Sequence, residues 1–437
     1  MTRKLIALFI ITAFIFLSGC SLIRNIKGNR KILGPQGKNP SSSDNAKDNN
    51  TVPPKQSTNG NNENKIQPKT NGTDPVKKQL DSMTLDEKLG QMVITGIDSY
   101  TADGNALKMI NSYHVGGFIV LSQNVKNTSQ LLGLLNSLKK ANSKNKIPLF
   151  ISVDEEGGRI SRMPAEFANF PPNSTIGRAN NAAFSYKVGV AIAHKIKSFG
   201  FNMDFAPVLD INSNPENPVI GDRSFGANAN IVTKLGIQTV KGLKSQNVIS
   251  VVKHFPGHGD TFVDSHIGLP SVNHSLDKLK SFELIPFQES IKNGVDGVMA
   301  AHILFPKIDA DYPSSMSKSI ITGILRNYLK YTGVIITDDM TMGAITKNYD
   351  IRSAAVKSVN AGCDIILVCH GHDNEVAVIT ALKSAVSKGT ISKARVDESV
   401  YRILSLKRKY NINDNLIGSV DVKKINGEIN ALLRTLK

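Results

Sequence analysis

The chain has 437 residues, with 53 Lys+Arg against 36 Asp+Glu and a formal net charge of +17. The excess is uneven: residues 1–78 hold 13 basic and 4 acidic residues, a net of +9, and the remaining +8 is spread over 359 residues. Half of the basicity therefore sits in one arm suited to attraction by an anionic membrane or wall. No aromatic-interleaved basic patch or helix-turn-helix pattern accompanies it, so nucleic-acid recognition is excluded.

Arg3 and Lys4 precede an apolar run, Leu5 to Phe16, broken only by Thr12, and Leu17-Ser18-Gly19-Cys20 follows. The run is about half the length of a bilayer-spanning helix, which predicts a signal peptide over residues 1–19 rather than a transmembrane anchor. The four residues ending at Cys20 resemble a bacterial lipobox, which implies acylation of Cys20 and a place on the extracellular face of the cell membrane. Diacylglycerol there supplies the two acyl chains that stable anchoring needs. An ordinary signal peptide followed by a stray cysteine is the alternative. Residues 20–78 are rich in Asn, Lys, Gly, Pro and Ser, lack aromatics and show no period of 2 or 3.6. Such a segment buries too little apolar surface to offset its ordering entropy, so a disordered tether is expected.

The body, 79–437, alternates short apolar runs with amphipathic stretches. Strands are predicted at Met92–Ile97, Gly117–Leu121, Pro148–Val153, Met203–Val208, Ile249–His254, Gly297–His302, Gly333–Thr337 and Ile365–Cys369. Helices are predicted at Thr128–Ser143, Ala182–Phe199, Ile231–Ser245, Leu276–Asn293, Ser317–Leu329, Ile351–Ala361 and Asn374–Lys388, with a last one from Ser392 to Lys409. Gly200, Asn247, Gly294, Gly362 and Gly389 stand where left-handed C-caps are wanted. Strands apolar on both faces and alternating with helices imply a parallel sheet covered by helices. Eight such units predict an α/β fold, a single (β/α)₈ TIM-type barrel, with a doubly wound open sheet as the fallback. No second folded domain and a monomer are expected. Cys363 and Cys369 bracket one predicted strand, about 20 Å apart when extended, too far for a disulfide, so both read as free core thiols.

Polar residues fall at the strand ends, where this fold builds its chemistry. Asp154 follows the third strand, Asp210 the fourth, Lys253-His254 end the fifth, His302 the sixth, Asp338-Asp339 follow the seventh, and His370 the eighth. Lys253-His254-Phe255-Pro256-Gly257-His258-Gly259-Asp260-Thr261, then Asp264-Ser265-His266, resembles the signature loop of the bacterial N-acetyl-β-glucosaminidases of glycoside hydrolase family three. Three further segments match in family order: Asp154 to Arg162, Asn214 to Phe225, and Gly333 to Met342.

The resemblance implies a retaining, exo-acting enzyme that releases terminal N-acetylglucosamine from cell-wall fragments. Asp338 would be the nucleophile and Asp264/His266 the acid/base dyad, while Asp154, Arg162, Arg223, Lys253 and His254 would bind sugar hydroxyls. The residue types suit these tasks. A retaining glycosidase needs a carboxylate on one face of the sugar and a proton donor at the leaving oxygen. A histidine can donate and re-accept a proton near neutral pH, with an aspartate fixing its tautomer. Larger relatives take a glutamate for that role from a second domain, which this body lacks. Arg159, Glu156 and Asp222 read equally as structural ion-pair partners, and Asp210 is undecided. Gly257, Gly259 and Gly268 suggest either a loop that closes on substrate or plain turns.

No organic cofactor and no metal are expected, because neither cysteine nor helical H-E-x-x-H spacing of a metal site is present. Phosphorolysis or β-glucosidase chemistry on the same fold remains an alternative, since a histidine acid/base carries no negative charge to repel phosphate. A non-catalytic sugar-binding lipoprotein is the alternative from another class.

Overall fold

The computed structural model describes residues 74–436. The expected signal peptide, Cys20 and most of the expected tether lie outside the described residues. The body begins earlier than the expected residue 79. Asp74 caps the helix Pro75–Asp81, accepting a hydrogen bond from the Val76 amide at 2.9 Å, and Val76 and Leu80 bury their side chains.

Eight parallel strands close into a barrel in sequence order. They are β1 (Val93–Thr95), β2 (Gly117–Val120), β3 (Phe150–Val153), β4 (Met203–Asp204), β5 (Ile249–Phe255), β6 (Gly297–Ala300), β7 (Val334–Asp339) and β8 (Ile365–Val368). β1 pairs with both β2 and β8, so no edge remains. Every residue of the first six strands is buried, as a sheet lined inside by side chains and outside by helices requires. All eight predicted strands are present, though β4 is only two residues long. The five expected C-cap positions have left-handed backbones, with φ from 60° at Asn247 to 120° at Gly362.

Two predicted helices differ. Leu276–Asn293 is two helices, Leu276–Ser281 and Ile285–Lys292, because Pro286 lacks the amide a continuous helix needs and opens the second one instead. Ser319–Tyr328 is wound as a π-helix. A further helix, Val422–Leu433, follows the expected last one and buries Ile425 and Ile429. Cys363 and Cys369 are buried free thiols.

The end of the barrel opposite the strand C-termini is fastened through one carboxylate. Asp364, wholly buried before β8, accepts from Arg326 at 2.5 Å, Arg395 at 3.1 Å, Arg402 at 3.2 Å, the Ser399 hydroxyl at 2.8 Å and the Ile335 amide at 3.0 Å. Burial alone would raise its pKa, but the guanidinium groups of Arg326, Arg402 and Arg395 hold it below the ordinary value. This joins the π-helix and the helix Lys393–Lys409 to the barrel. Asp364→Asn is expected to cost about 3–5 kcal/mol, because Arg326 loses its counter-charge in a buried place and Arg395 and Arg402 keep only the exposed Glu398; a urea unfolding midpoint close to that of the unaltered protein would contradict this.

Candidate active site

At the C-terminal rim the strand ends open into a cavity of about 280 Å³. That lies just below the span of about 300–1,000 Å³ usual for ligand pockets. Its walls include Asp154, Arg162, Arg223, Lys253, His254, His266 and Asp338, seven of the eight catalytic and binding residues expected from sequence. Asp264, the eighth, stands behind His266 rather than on the wall.

One wall is a buried ion network. Lys253, at the end of β5, places its ammonium 2.5 Å from Asp154 Oδ1 and 2.8 Å from Glu156 Oε1. Glu156 in turn receives both Arg223 Nη2, at 2.7 Å, and Nε, at 2.9 Å, a two-pronged guanidinium–carboxylate contact. Burial would raise Glu156, yet Arg223 and Lys253 hold its carboxyl far below the usual range. Burial would likewise lower Lys253, and Asp154 and Glu156 instead raise it. Lys253, Glu156 and Arg223 are thus charged at neutral pH. Asp154 keeps one oxygen's worth of acceptor capacity toward the cavity, and Lys253 and Arg223 offer donors, a pairing that can grip vicinal hydroxyls.

Arg162 reaches the same wall from the other side. Its backbone amide donates to Glu155 Oε2 at 2.9 Å, and its guanidinium to Ser122 at 3.0 Å. Glu155 is itself fixed by the buried Lys195 ammonium at 2.6 Å. Arg159 and Asp222 pair with each other at 2.9 Å on the surface, outside the cavity. Of the three residues sequence left between structure and binding, only Glu156 joins the site.

His254 is held by Asp210. Its Nδ1 lies 2.7 Å from Asp210 Oδ2, and the same carboxylate accepts from the amides of His254 at 3.2 Å and His258 at 2.7 Å. Nδ1–H therefore donates, and Nε2 faces the cavity, 3.5 Å from Arg223. Asp210, undecided from sequence, is the residue that sets the His254 tautomer. Burial would raise its pKa; His254 outweighs that and lowers it.

The two carboxylates at the end of β7 separate sharply. Asp339 is saturated: Oδ1 accepts from the amides of Thr341 and Cys369, each at 2.9 Å, and Oδ2 from the Thr341 hydroxyl at 2.6 Å. Its carbonyl accepts from His302 Nε2 at 3.0 Å, while Ser315 donates to the other ring nitrogen at 2.7 Å. Asp338 accepts only from the Asp339 amide, at 2.9 Å, and presents its remaining lone pairs to the cavity. Burial would raise Asp338, but the neighbouring imidazoles of His254 and His302 and that amide lower it to about 2.

Opposite stands His266, its side chain 65% exposed. Its Nδ1 lies 2.8 Å from Asp264 Oδ1, which also accepts the His266 amide at 2.8 Å. Nε2 is left for a partner in the cavity. The loop that carries it is stapled inside by His258, whose ring nitrogens lie 2.8 Å from the Thr261 hydroxyl and 3.1 Å from that of Ser265. Burial, aided by His254, lowers His258 to about 4, so the staple is neutral. The glycines of this loop are packing residues. A Cβ on Gly259 would fall 1.7 Å from the Ile211 carbonyl oxygen, and Gly257, at φ 141°, lies against Glu283.

A barrel whose rim opposes one uncommitted carboxylate to an aspartate-braced imidazole, beside a charged wall for hydroxyl groups, is a glycoside hydrolase. The sequence matches the glycosyl hydrolase family 3 N terminal domain over residues 84–406. Beta-hexosaminidase A of Pseudoalteromonas piscicida is 39% identical over 326 residues, covering 69% of this chain and 54% of that protein. Beta-hexosaminidase of Nitrosomonas eutropha is 32% identical over 301 residues, covering 67% and 85%. A solved glycoside hydrolase family 3 beta-N-acetylglucosaminidase from Paenibacillus sp. str. FPU-7 superposes with a TM-score of 0.75 at 39% identity, covering 80% of this chain and 68% of that one. This chain thus spans about half the length of the first relative and most of the second. It belongs to glycosyl hydrolase family 3.

Asp210→Asn tests the His254 assignment. Loss of a charge-assisted hydrogen bond, about 1.5–3 kcal/mol, corresponds to about a 10- to 100-fold fall in kcat/KM; unchanged kinetics would contradict it. His258 gives a pH prediction. Its folded pKa of about 4 lies below the ordinary 6.5, so the unfolded chain binds the extra proton first. Stability is therefore full above about 6.5 and declines as pH falls toward 4. His258→Gln should flatten that part of the profile, read from unfolding midpoints at pH 7, 5.5 and 4.5.

Proposed function

We propose that this family 3 glycoside hydrolase is a retaining, exo-acting β-N-acetylglucosaminidase that releases terminal N-acetylglucosamine from peptidoglycan fragments. The observation that carries the mechanism is the inequality of Asp338 and Asp339. Only Asp338 is both ionised and uncommitted, as a nucleophile must be. The sugar assignment is supported by the beta-hexosaminidase and beta-N-acetylglucosaminidase relatives. The small cavity, walled by Asp154, Lys253 and Arg223, supports removal of one terminal residue.

In the first step an Asp338 oxygen attacks C1 of the bound sugar. The bond from C1 to the leaving oxygen breaks, and that oxygen takes the proton from His266 Nε2. In the second step a water gives a proton back to Nε2 as its oxygen attacks C1, and the Asp338 carboxylate departs. Asp264 accepts from Nδ1–H throughout, which fixes the ring and leaves Nε2 to exchange the proton. An acylated Cys20 with a basic tether would hold the barrel at the extracellular face of the membrane, beside wall fragments.

The test is hydrolysis of 4-nitrophenyl N-acetyl-β-glucosaminide and the matching β-glucoside. Release from the first alone is expected, abolished by Asp338→Ala and reduced about 10²- to 10⁴-fold by His266→Ala. Full activity of Asp338→Ala would overturn the nucleophile assignment, and preference for the glucoside would overturn the sugar assignment. With Asp338 at about 2, no acid limb from nucleophile protonation should appear in kcat/KM between pH 4 and 7.

A further inference from the structure

His266 lies on a long connection between β5 and the helix Leu276–Ser281 and is largely exposed, so its position over the cavity must come from the loop's anchors. The downstream half rests on the segment after β7. The Ala344 amide donates to the Ser265 carbonyl at 3.0 Å, the Gly343 amide to that of His266 at 3.2 Å, and Lys347 to that of Ile267 at 2.7 Å. The upstream half has a different anchor, built from three ionisable side chains that the mechanism above does not use.

His274 stands between two carboxylates. Its Nε2 is 3.0 Å from Asp260 Oδ2, and its Nδ1 is 3.0 Å from Glu283 Oε1. Asp260 belongs to the loop, where it also accepts from Ser213 at 3.2 Å. Glu283 belongs to the turn before the helix Ile285–Lys292, and its stem abuts Gly257, where the loop leaves β5. The contact on the Glu283 side is ionic rather than an aligned hydrogen bond: His274 Nδ1 and both Glu283 oxygens are buried without a hydrogen-bond partner. Burial raises the Glu283 pKa, and His274 and Lys278 are the cations that oppose this.

We propose that His274, clamped between Asp260 and Glu283, is a positioning residue that holds the acid/base loop over the nucleophile. It touches neither sugar nor reacting atom and acts through His266, so the inference rests on the acid/base role given to His266 above. Its removal should spare substrates whose leaving group needs no proton and penalise those whose leaving group does.

The experiment compares kcat/KM for N,N'-diacetylchitobiose and N-acetyl-β-glucosaminyl fluoride in the full chain and in His274→Gln and His274→Arg. A small displacement of a catalytic group costs about 10- to 100-fold, so His274→Gln should lose that much on the disaccharide and change little on the fluoride. His274→Arg, which keeps a cation with two donors, should recover most of the loss. Equal losses on both substrates, or none on the disaccharide, would overturn the proposal. Should His274→Gln fail to fold, Asp260→Asn breaks the same clamp from the exposed side and carries the same expectation. An unaltered protein inactive on both substrates would instead sink the proposed function.

Discussion

The active site depends on one buried ammonium. Lys253 ends β5 between Asp154, which follows β3, and Glu156, which continues the same loop and carries Arg223 from beyond β4. In this water-poor place Lys253 and Arg223 keep Glu156 ionised, and the carboxylates in turn hold Lys253 and Arg223 protonated. Removing any one would leave a buried charge unmatched, which costs far more than the intact network contributes. The same four groups fix the spacing of three strand ends, and so the width of the sugar-binding wall.

Against that wall the site assigns different work to chemically identical groups. Asp338 and Asp339 are neighbours on one strand, yet Asp339 spends its oxygens on three donors and ties β7 to Cys369 after β8. Its saturation holds the backbone that aims Asp338. Histidines divide similarly. His302 and His258 are buried and pushed toward the neutral form, serving as fixed donors and acceptors within the scaffold. His254 is oriented by Asp210 toward the cavity, and His266 alone is largely solvent-exposed among those lining it, apart from His370 at the rim. Exposure suits the proton exchange with water that the proposed acid/base role requires.

Rigidity and access are therefore split between two parts of the molecule. The barrel end around Asp364 and the ion network around Lys253 are fixed by several partners per charged group. The acid/base loop is pinned by buried contacts at His258 and Thr261, but its tip is open, with Phe262 and Ile267 exposed on either side of the dyad. Gly259 faces the Ile211 carbonyl and Gly257 the Glu283 side chain, so these two glycines read as a packing requirement as much as a hinge.

Much of this was legible in the chain itself. Apolar runs alternating with amphipathic ones, punctuated by Gly and Asn at C-caps, determined eight strands, their helices and a closed parallel barrel, because strand burial on both faces has few other solutions. Strand-end position drew attention to Asp154, Lys253, His254 and Asp338, and the resemblance to family three, together with the Asp-x-His spacing, gave them and Asp264 and His266 their expected roles. Sequence named Asp338 over Asp339 only through that resemblance, with no physical reason for the choice, and it could not give Glu156 or Asp210 a role or pair His274 with Asp260 and Glu283. Those assignments turn on which donors reach which oxygen across elements tens of residues apart. A local pattern records the residues that can ionise; only the folded chain decides which of them are buried against a partner and which are left free to react.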